Sequence, residues 1–189
     1  SLYAKSFGIQ HRNTDAIKAE TLVEAYPNSV YVVQNPPQPP LSTEEMDAVY
    51  ALPYMRTYHP SYEEKGGVPA INEIKFSLIS NRGCFGGCNF CTIAAHQGKF
   101  IQSRSEESIL KEIKALNGLP GFAGNISDVG APTANMYGMH GKDQELCAKC
   151  RRKSCLFPSP CRNLDRSHAR LLELYRKIGQ VKGIRHAYI

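Results

Sequence analysis

Seven cysteines fall in two groups along this 189-residue chain: Cys84, Cys88 and Cys91, then Cys147, Cys150, Cys155 and Cys161, with none in the first 83 residues. A disulfide framework spreads an even number of cysteines to staple distant segments. This odd, clustered set instead reads as reduced thiols serving a metal or catalytic site in the cytoplasm. The start, SLYAKSFGIQHRN, lacks the charged-then-apolar layout of a secretory signal. No apolar run reaches the ~18–20 residues a membrane span requires. A hydrophobic share of 42% against 21% charged excludes wholesale disorder, and the length fits one domain, or one domain with an appendage. The chain stops inside the apolar run IRHAYI, which reads as a cut within a larger protein.

The pattern along the chain predicts alternating elements. TDAIKAETLVEAY (14–26) reads as a helix with Ala19, Leu22, Val23 and Tyr26 on one face, and VYVVQN (30–35) as a strand. NPPQPP (35–40) is an extended linker, and Ser42 with Glu45 forms a capping box opening a short helix. Residues 53–72 read as irregular covering chain. From there the order is strand IKFSLIS (74–80), helix 103–118, strand NISDVG (125–130), helix 167–179 and strand GIRHAYI (183–189). Strand–helix alternation implies a parallel α/β sheet with its chemistry at the C-terminal strand ends, where the first cysteine group lies.

Cys84-x3-Cys88-x2-Cys91 sets three thiolates just behind a strand. Structural zinc takes four protein ligands and a [4Fe–4S] cube normally four cysteines, so three leave one position open. Gly83, Gly86 and Gly87 let the backbone wrap closely and turn amides towards sulfur. The alternatives are three buried cysteines, or zinc with an outside ligand such as His96.

These residues resemble the radical S-adenosylmethionine (SAM) superfamily, with an aromatic, Phe90, before the last cysteine. RGCFGGCNFCTIAAHQGKFIQSRSEESILKEI, ISDVGAPTANMYGM and CRRKSCLFPSPCRNL resemble its YgiQ-type branch, also called UPF0313, from about residue 30 to the end. The resemblance implies a cofactor pair: a [4Fe–4S] cluster on Cys84, Cys88 and Cys91, and SAM chelated to the fourth iron. One electron would split SAM into methionine and a 5′-deoxyadenosyl radical that takes hydrogen from an unknown substrate. A reductant such as flavodoxin or ferredoxin would be the partner. Phe90 matches the aromatic near the adenine. Gly130, Ala131, Pro132 and Thr133 stand where the superfamily's glycine-rich motif meets the SAM amino group, with Gly-Ala-Pro in place of the commoner Gly-Gly-Glu. The implied fold is the N-terminal part of a partial (β/α)6 barrel with an irregular Cys-rich loop. Residues 1–40 would be the tail of a preceding α/β domain plus the Pro-rich linker, and 41–189 the first half of the barrel, with a Cys-rich insertion at 139–165. Such a truncated barrel would be catalytically crippled alone.

Cys147-x2-Cys150-x4-Cys155-x5-Cys161 can close a zinc site or ligate a second Fe–S cluster, or remain unligated. Lys149, Arg151, Arg152 and Lys153 are expected to depress its thiol pKa values. The resemblance implies that the family's first cysteine of this group lies near Gly141, so that Cys147 replaces it here. His140 and His168 flank the group as ordinary histidines. Asp128 either touches SAM or substrate or caps a turn, and Tyr54, Tyr58, His59 and Tyr62 line a pocket or form a covering layer. The competing function is a non-enzymatic zinc module whose basic loop contacts nucleic acid. No aromatic stripe interleaves with those basic residues, which disfavours it.

Overall fold

The computed structural model describes residues 1–188; Ile189, the end of the strand expected over 183–189, lies outside the described residues. The chain begins with α1 (Leu2–Arg12), whose first turn is capped by the Ser1 hydroxyl accepting from the Ala4 N–H. This overturns the helix expected over 14–26. There, Asp15 accepts from the Ile17 N–H, and the Asn13 amide clasps Glu20 by both its donor and its acceptor. Such local side-chain bonds satisfy the backbone without a helix. The following residues form β1 (Leu22–Tyr26), antiparallel to β2 (Val30–Gln34) in the register Leu22↔Gln34 to Tyr26↔Val30. The β-branched partner VYVV overrides the helical spacing of Leu22, Val23 and Tyr26.

After the proline linker, α2 (Thr43–Tyr50) carries the expected Ser42–Glu45 capping box and buries Met46. Residues 51–70 are irregular, with a 3-10 turn at Pro60–Lys65. Arg56 fastens this cover by donating to the carbonyls of Lys75 and Ser77. A single turn, α3 (Ile71–Ile74), precedes β3 (Ser77–Ile79), which is therefore shorter than the expected strand 74–80. Next, β4 (Asn81–Arg82) pairs antiparallel with β5 (Gln102–Ser103), and between them run the first cysteine loop and α4 (Ile93–Gln97).

The remaining elements are α5 (Glu106–Leu116), β6 (Asn125–Ile126), β7 (Asp128–Gly130), α6 (Gln144–Lys149), α7 (Ala169–Gly179) and β8 (His186–Ala187). β3 pairs parallel with β7, and β6 with β8. The Ser127 N–H donates to Phe76 O and the Val129 N–H to Tyr188 O, joining these pieces into one three-stranded parallel arrangement with 125–130 in the middle. The middle strand is split because its inward residues, Ile126 and Val129, are separated by the two exposed residues Ser127 and Asp128. One extra residue at that point breaks the alternation, as in a bulge. The strands remain an open sheet and close no barrel among the described residues.

α5 and α7 cover one face of this sheet. Ile109, Ile113 and Leu116 from α5 and Leu171, Leu174 and Ile178 from α7 are buried against Leu78, Ile126 and Val129. Their three-and-four spacing makes each helix an apolar stripe. Lys177 and Glu106 form an ion pair between the two helices. α5 begins at Ser105, whose hydroxyl accepts from the Ser108 N–H at 3.0 Å. Ser105→Ala is expected to lower stability by about 1 kcal/mol, read as a shift in urea midpoint; an unchanged midpoint would show the cap to be idle.

Arg104 lies directly before that cap and is fully buried. Its guanidinium donates to Ile79 O, Ser108 Oγ and, at 2.5 Å, Glu112, and stacks on Tyr50 at 4.4 Å. Glu112 also pairs with Arg56. Burial lowers the Arg104 pKa to about 10, which leaves it charged at neutral pH. The arginine thus ties α2, β3 and α5 together at the C-terminal ends of the strands. The Tyr137 hydroxyl closes the group by donating to Arg104 O at 2.9 Å, and burial raises its pKa to about 12.

Candidate metal centre and the cysteine cavity

The first cysteine loop leaves the sheet where the parallel strands end. The Ser80 N–H donates to Gly130 O at 2.8 Å, so the starts of the two strand-end loops lie side by side. Ser80 and Asn81 are buried there, and among the described residues the Asn81 side-chain nitrogen has no hydrogen-bond partner. Neither residue drew attention in the sequence; being short and polar, they give no periodic signal. Gly83 then turns the chain at φ +89°, where a Cβ would sit 2.0 Å from Phe100 O. Only glycine permits that close approach.

Cys84 is buried, Cys91 half-buried and Cys88 exposed. The Gly86 N–H donates to Cys84 Sγ at 3.4 Å. A Cβ built on Gly86 would lie 3.3 Å from Cys84 Sγ and 3.7 Å from Cys88 Sγ, so the missing side chain leaves open the space these two sulfurs share. The Thr133 hydroxyl donates to Cys84 Sγ at 3.5 Å. The structure therefore brings the expected Gly130–Thr133 turn to the first cysteine group. Ala131 and Pro132 lie in that turn, half-buried. Asp128 leans along its strand, its carboxylate filling the space a side chain at Gly130 would need.

Phe90 projects from the loop, 92% exposed. His96 lies exposed in the last turn of α4, His140 is exposed with its ring on Gly138 O, and His168 is the exposed residue preceding α7. Tyr54, Tyr58, His59 and Tyr62 belong to the cover over residues 51–70, where the Tyr58 ring packs on Gly67.

The second cysteine group stands beside the first. The Cys155 N–H donates to Phe85 O at 3.0 Å, and the Ser154 hydroxyl donates to Gly86 O at 2.6 Å. Cys84, Phe85, Met136, Met139 and Leu164 form one buried apolar cluster against which Cys155 and Cys161 pack. Cys147, Cys150, Cys155 and Cys161 all line a single cavity of about 950 Å³, together with Phe85 and Lys99. Among the described residues no three His, Cys, Asp or Glu side chains form a group arranged to hold a metal ion. The Asn163 amide donates to Cys147 Sγ at 3.3 Å and the Arg152 N–H to Cys150 Sγ at 3.4 Å. Gly141 makes room for Cys147: a Cβ at 141 would lie 2.1 Å from that sulfur.

The expectation that basic neighbours depress these thiols is overturned at Cys147 and Cys155. Burial raises both, with neighbouring thiols adding to it; the Asn163 amide opposes this at Cys147, and Lys99 opposes it only weakly at both. The basic residues are engaged elsewhere. Arg152 donates to Phe157 O and Ser159 O, and Lys153 to His11 O. Lys99 bridges Arg152 O and the Asp15 carboxylate, and Lys18 donates to Cys150 O. These bonds dock the N-terminal segment on the cysteine cavity, a contact no local sequence pattern announces.

No helix among the described residues is long and apolar enough to cross a membrane. A family model described as "Radical SAM N-terminal" matches residues 1–77. A "UPF0313 protein" of Clostridium botulinum (strain Okra) is 51% identical over 187 residues, covering 99% of this chain and 29% of that protein. Proteins of the same name from Methanocella arvoryzae and Bacteroides thetaiotaomicron are 49% and 48% identical, over 99% and 98% of this chain and 31% and 30% of theirs. The chain thus spans less than a third of the length of these relatives. Both cysteine groups lie within a likeness to UPF0313 proteins that runs almost end to end along this chain, and its first 77 residues are similar to the radical SAM N-terminal family.

Proposed function

We propose that this chain opens a radical SAM catalytic barrel in which Cys84, Cys88 and Cys91 hold a [4Fe–4S] cluster with one iron left for SAM. The observation that carries the reading is the 3.5 Å contact between Thr133 Oγ1 and Cys84 Sγ, which joins the three-cysteine loop to the second strand end. The donor set fits: three thiols in one glycine-bearing loop, with an amide already directed at Cys84 and open space at Gly86. When bound, the cluster supplies the electron that cleaves SAM to methionine and a 5′-deoxyadenosyl radical, drawn from a donor of the flavodoxin or ferredoxin class.

The chain's own residues bind, orient and shield. Cys84, beneath Phe85 and Met136, anchors the cluster on its dry side. Exposed Phe90 offers a ring face to the adenine. Gly130 O is occupied by Ser80 and the Thr133 hydroxyl by Cys84 Sγ, which leaves the N–H groups of Ala131 and Thr133, on either side of Pro132, to meet the polar end of SAM. Residues 1–40 serve as the tail of a preceding α/β domain with its linker, 41–189 as the first half of a partial (β/α)6 barrel, and 139–165 as a Cys-rich insertion. The uncovered sheet face then becomes barrel interior.

The test is electron paramagnetic resonance of the full-length protein, reconstituted anaerobically and reduced. A [4Fe–4S]⁺ signal that changes shape on adding SAM, and is lost in Cys84→Ala, is expected. A cluster signal indifferent to SAM would overturn the reading.

A further inference from the structure

We infer that Cys147, Cys150, Cys155 and Cys161 ligate a second iron–sulfur cluster, a [4Fe–4S] centre held by four cysteines, seated behind Phe85 from the three-cysteine loop. All four side chains line one cavity, although they come from α6 and the loop behind it. Among the described residues no three of these side chains are arranged to hold a single metal ion, whereas the cavity they share, about 950 Å³, has room for a larger group. It suits a polynuclear cluster with sulfide bridges between its metals. The spacing agrees. Zinc ribbons set four cysteines as two CxxC pairs. Here only Cys147 and Cys150 form such a pair, and Cys155 and Cys161 are spread further apart.

The surroundings favour the cluster as well. Phe85, Met139 and Leu164 provide one apolar wall of the cavity. The Asn163 amide and the Arg152 N–H already donate to two of the four sulfurs, the kind of bond that orients ligands and tunes a cluster. Lys99 lines the same cavity, although its ammonium is already paired with the Asp15 carboxylate. On ligation each thiol gives up its proton to solvent and forms one Fe–S bond.

The centre also has a mechanical consequence. Cys155 and Ser154 bond directly to the backbone of Phe85 and Gly86. A cluster gripping Cys155 therefore braces the loop that carries Cys84. This assignment rests on the second group alone and stands whether or not the first group binds SAM.

The experiment uses the full-length protein, reconstituted anaerobically with ferrous iron and sulfide. The variant Cys84→Ala/Cys88→Ala/Cys91→Ala is expected to retain about four irons and four sulfides per chain, with an electron paramagnetic resonance signal indifferent to SAM. Adding Cys155→Ala and Cys161→Ala is expected to remove them. The reciprocal variant, Cys155→Ala/Cys161→Ala alone, is expected to lose about half the wild-type iron and to keep the SAM-responsive part of the signal. It supplies the answer if the triple variant fails to fold. No iron in the triple variant, a zinc ion bound by four sulfurs in X-ray absorption, or unchanged iron in the reciprocal variant would each overturn the inference. Failure of the first site alone would appear differently, as wild-type iron equal to that of the triple variant.

Discussion

Glu112→Ala is expected to cost about 3–5 kcal/mol of stability, the range for removing one partner from a buried ion pair. Glu112 receives both Arg104 and Arg56, and Arg104 is fully enclosed. Burial already presses on both guanidiniums, lowering each pKa, yet neither can shed its proton at neutral pH. Without the carboxylate, two cations share a poorly solvated pocket whose hydrogen-bond acceptors are neutral, with Asp47 left as the nearby anion. The structure escapes by freeing Arg56, which unfastens the 51–70 cover from Lys75 and Ser77. Urea unfolding of this variant beside Lys111→Ala, an exposed position on the same helix, measures the effect. A loss below about 1 kcal/mol, typical of surface pairs, would show that solvent reaches the site.

The second large effect is expected at Gly83. Alanine there must adopt φ +89° and place its Cβ 2.0 Å from a backbone oxygen, which cannot swing aside as a side chain does. Strained backbone alone costs about 1–3 kcal/mol; the collision forces Phe100 away from the loop besides. The Cys84 N–H bond to Gly98 O, 3.0 Å long, lies in the same turn and breaks with it. Gly83→Ala is therefore expected to lose the SAM-responsive cluster signal together with about 3 kcal/mol or more of stability. Gly66→Ala isolates the conformational part, and the difference between the two variants is the steric part. Gly66 has φ +85° with nothing within 4 Å of the would-be Cβ, so only the conformational cost of about 1–2 kcal/mol applies. Equal losses in the two variants would refute the role given to Phe100.

What the sequence disclosed followed the reach of its signals. α2 and α5 were legible because Ser42 and Ser105 cap them and their apolar residues recur at helical spacing. The parallel pairing of β3 with β7 and of β6 with β8 followed from strand–helix alternation. The three-cysteine loop stood out by its spacing, and the structure sets it at the strand ends beside Thr133, with no three side chains arranged to hold a metal ion among the described residues. The stretch 14–26 misled because its helical spacing is real but local. Asn13, Asp15 and the partner strand VYVV outweigh it, and pairing energy is invisible in a single segment. The second cysteine group showed its residues but not its environment. Nearby lysines and arginines in sequence suggested activated thiols, whereas Arg152 and Lys153 point to carbonyls and the cavity wall is apolar. The α1–Lys18 contact with the cysteine loop joins residues more than 130 apart and had no signature at all.

Gly141 and Cys147 compete for one volume. A sulfur at that spot can be delivered from either side of the turn into α6, from residue 141 or from residue 147, but the two side chains exclude each other unless the backbone shifts. The position of the thiol in space is therefore more tightly specified than its position in the chain. Among related chains, a cysteine gained at one of these positions makes the other dispensable and sterically unwelcome. The two should alternate rather than accumulate, so that a coordinating atom migrates along the sequence while remaining at the same point of the fold.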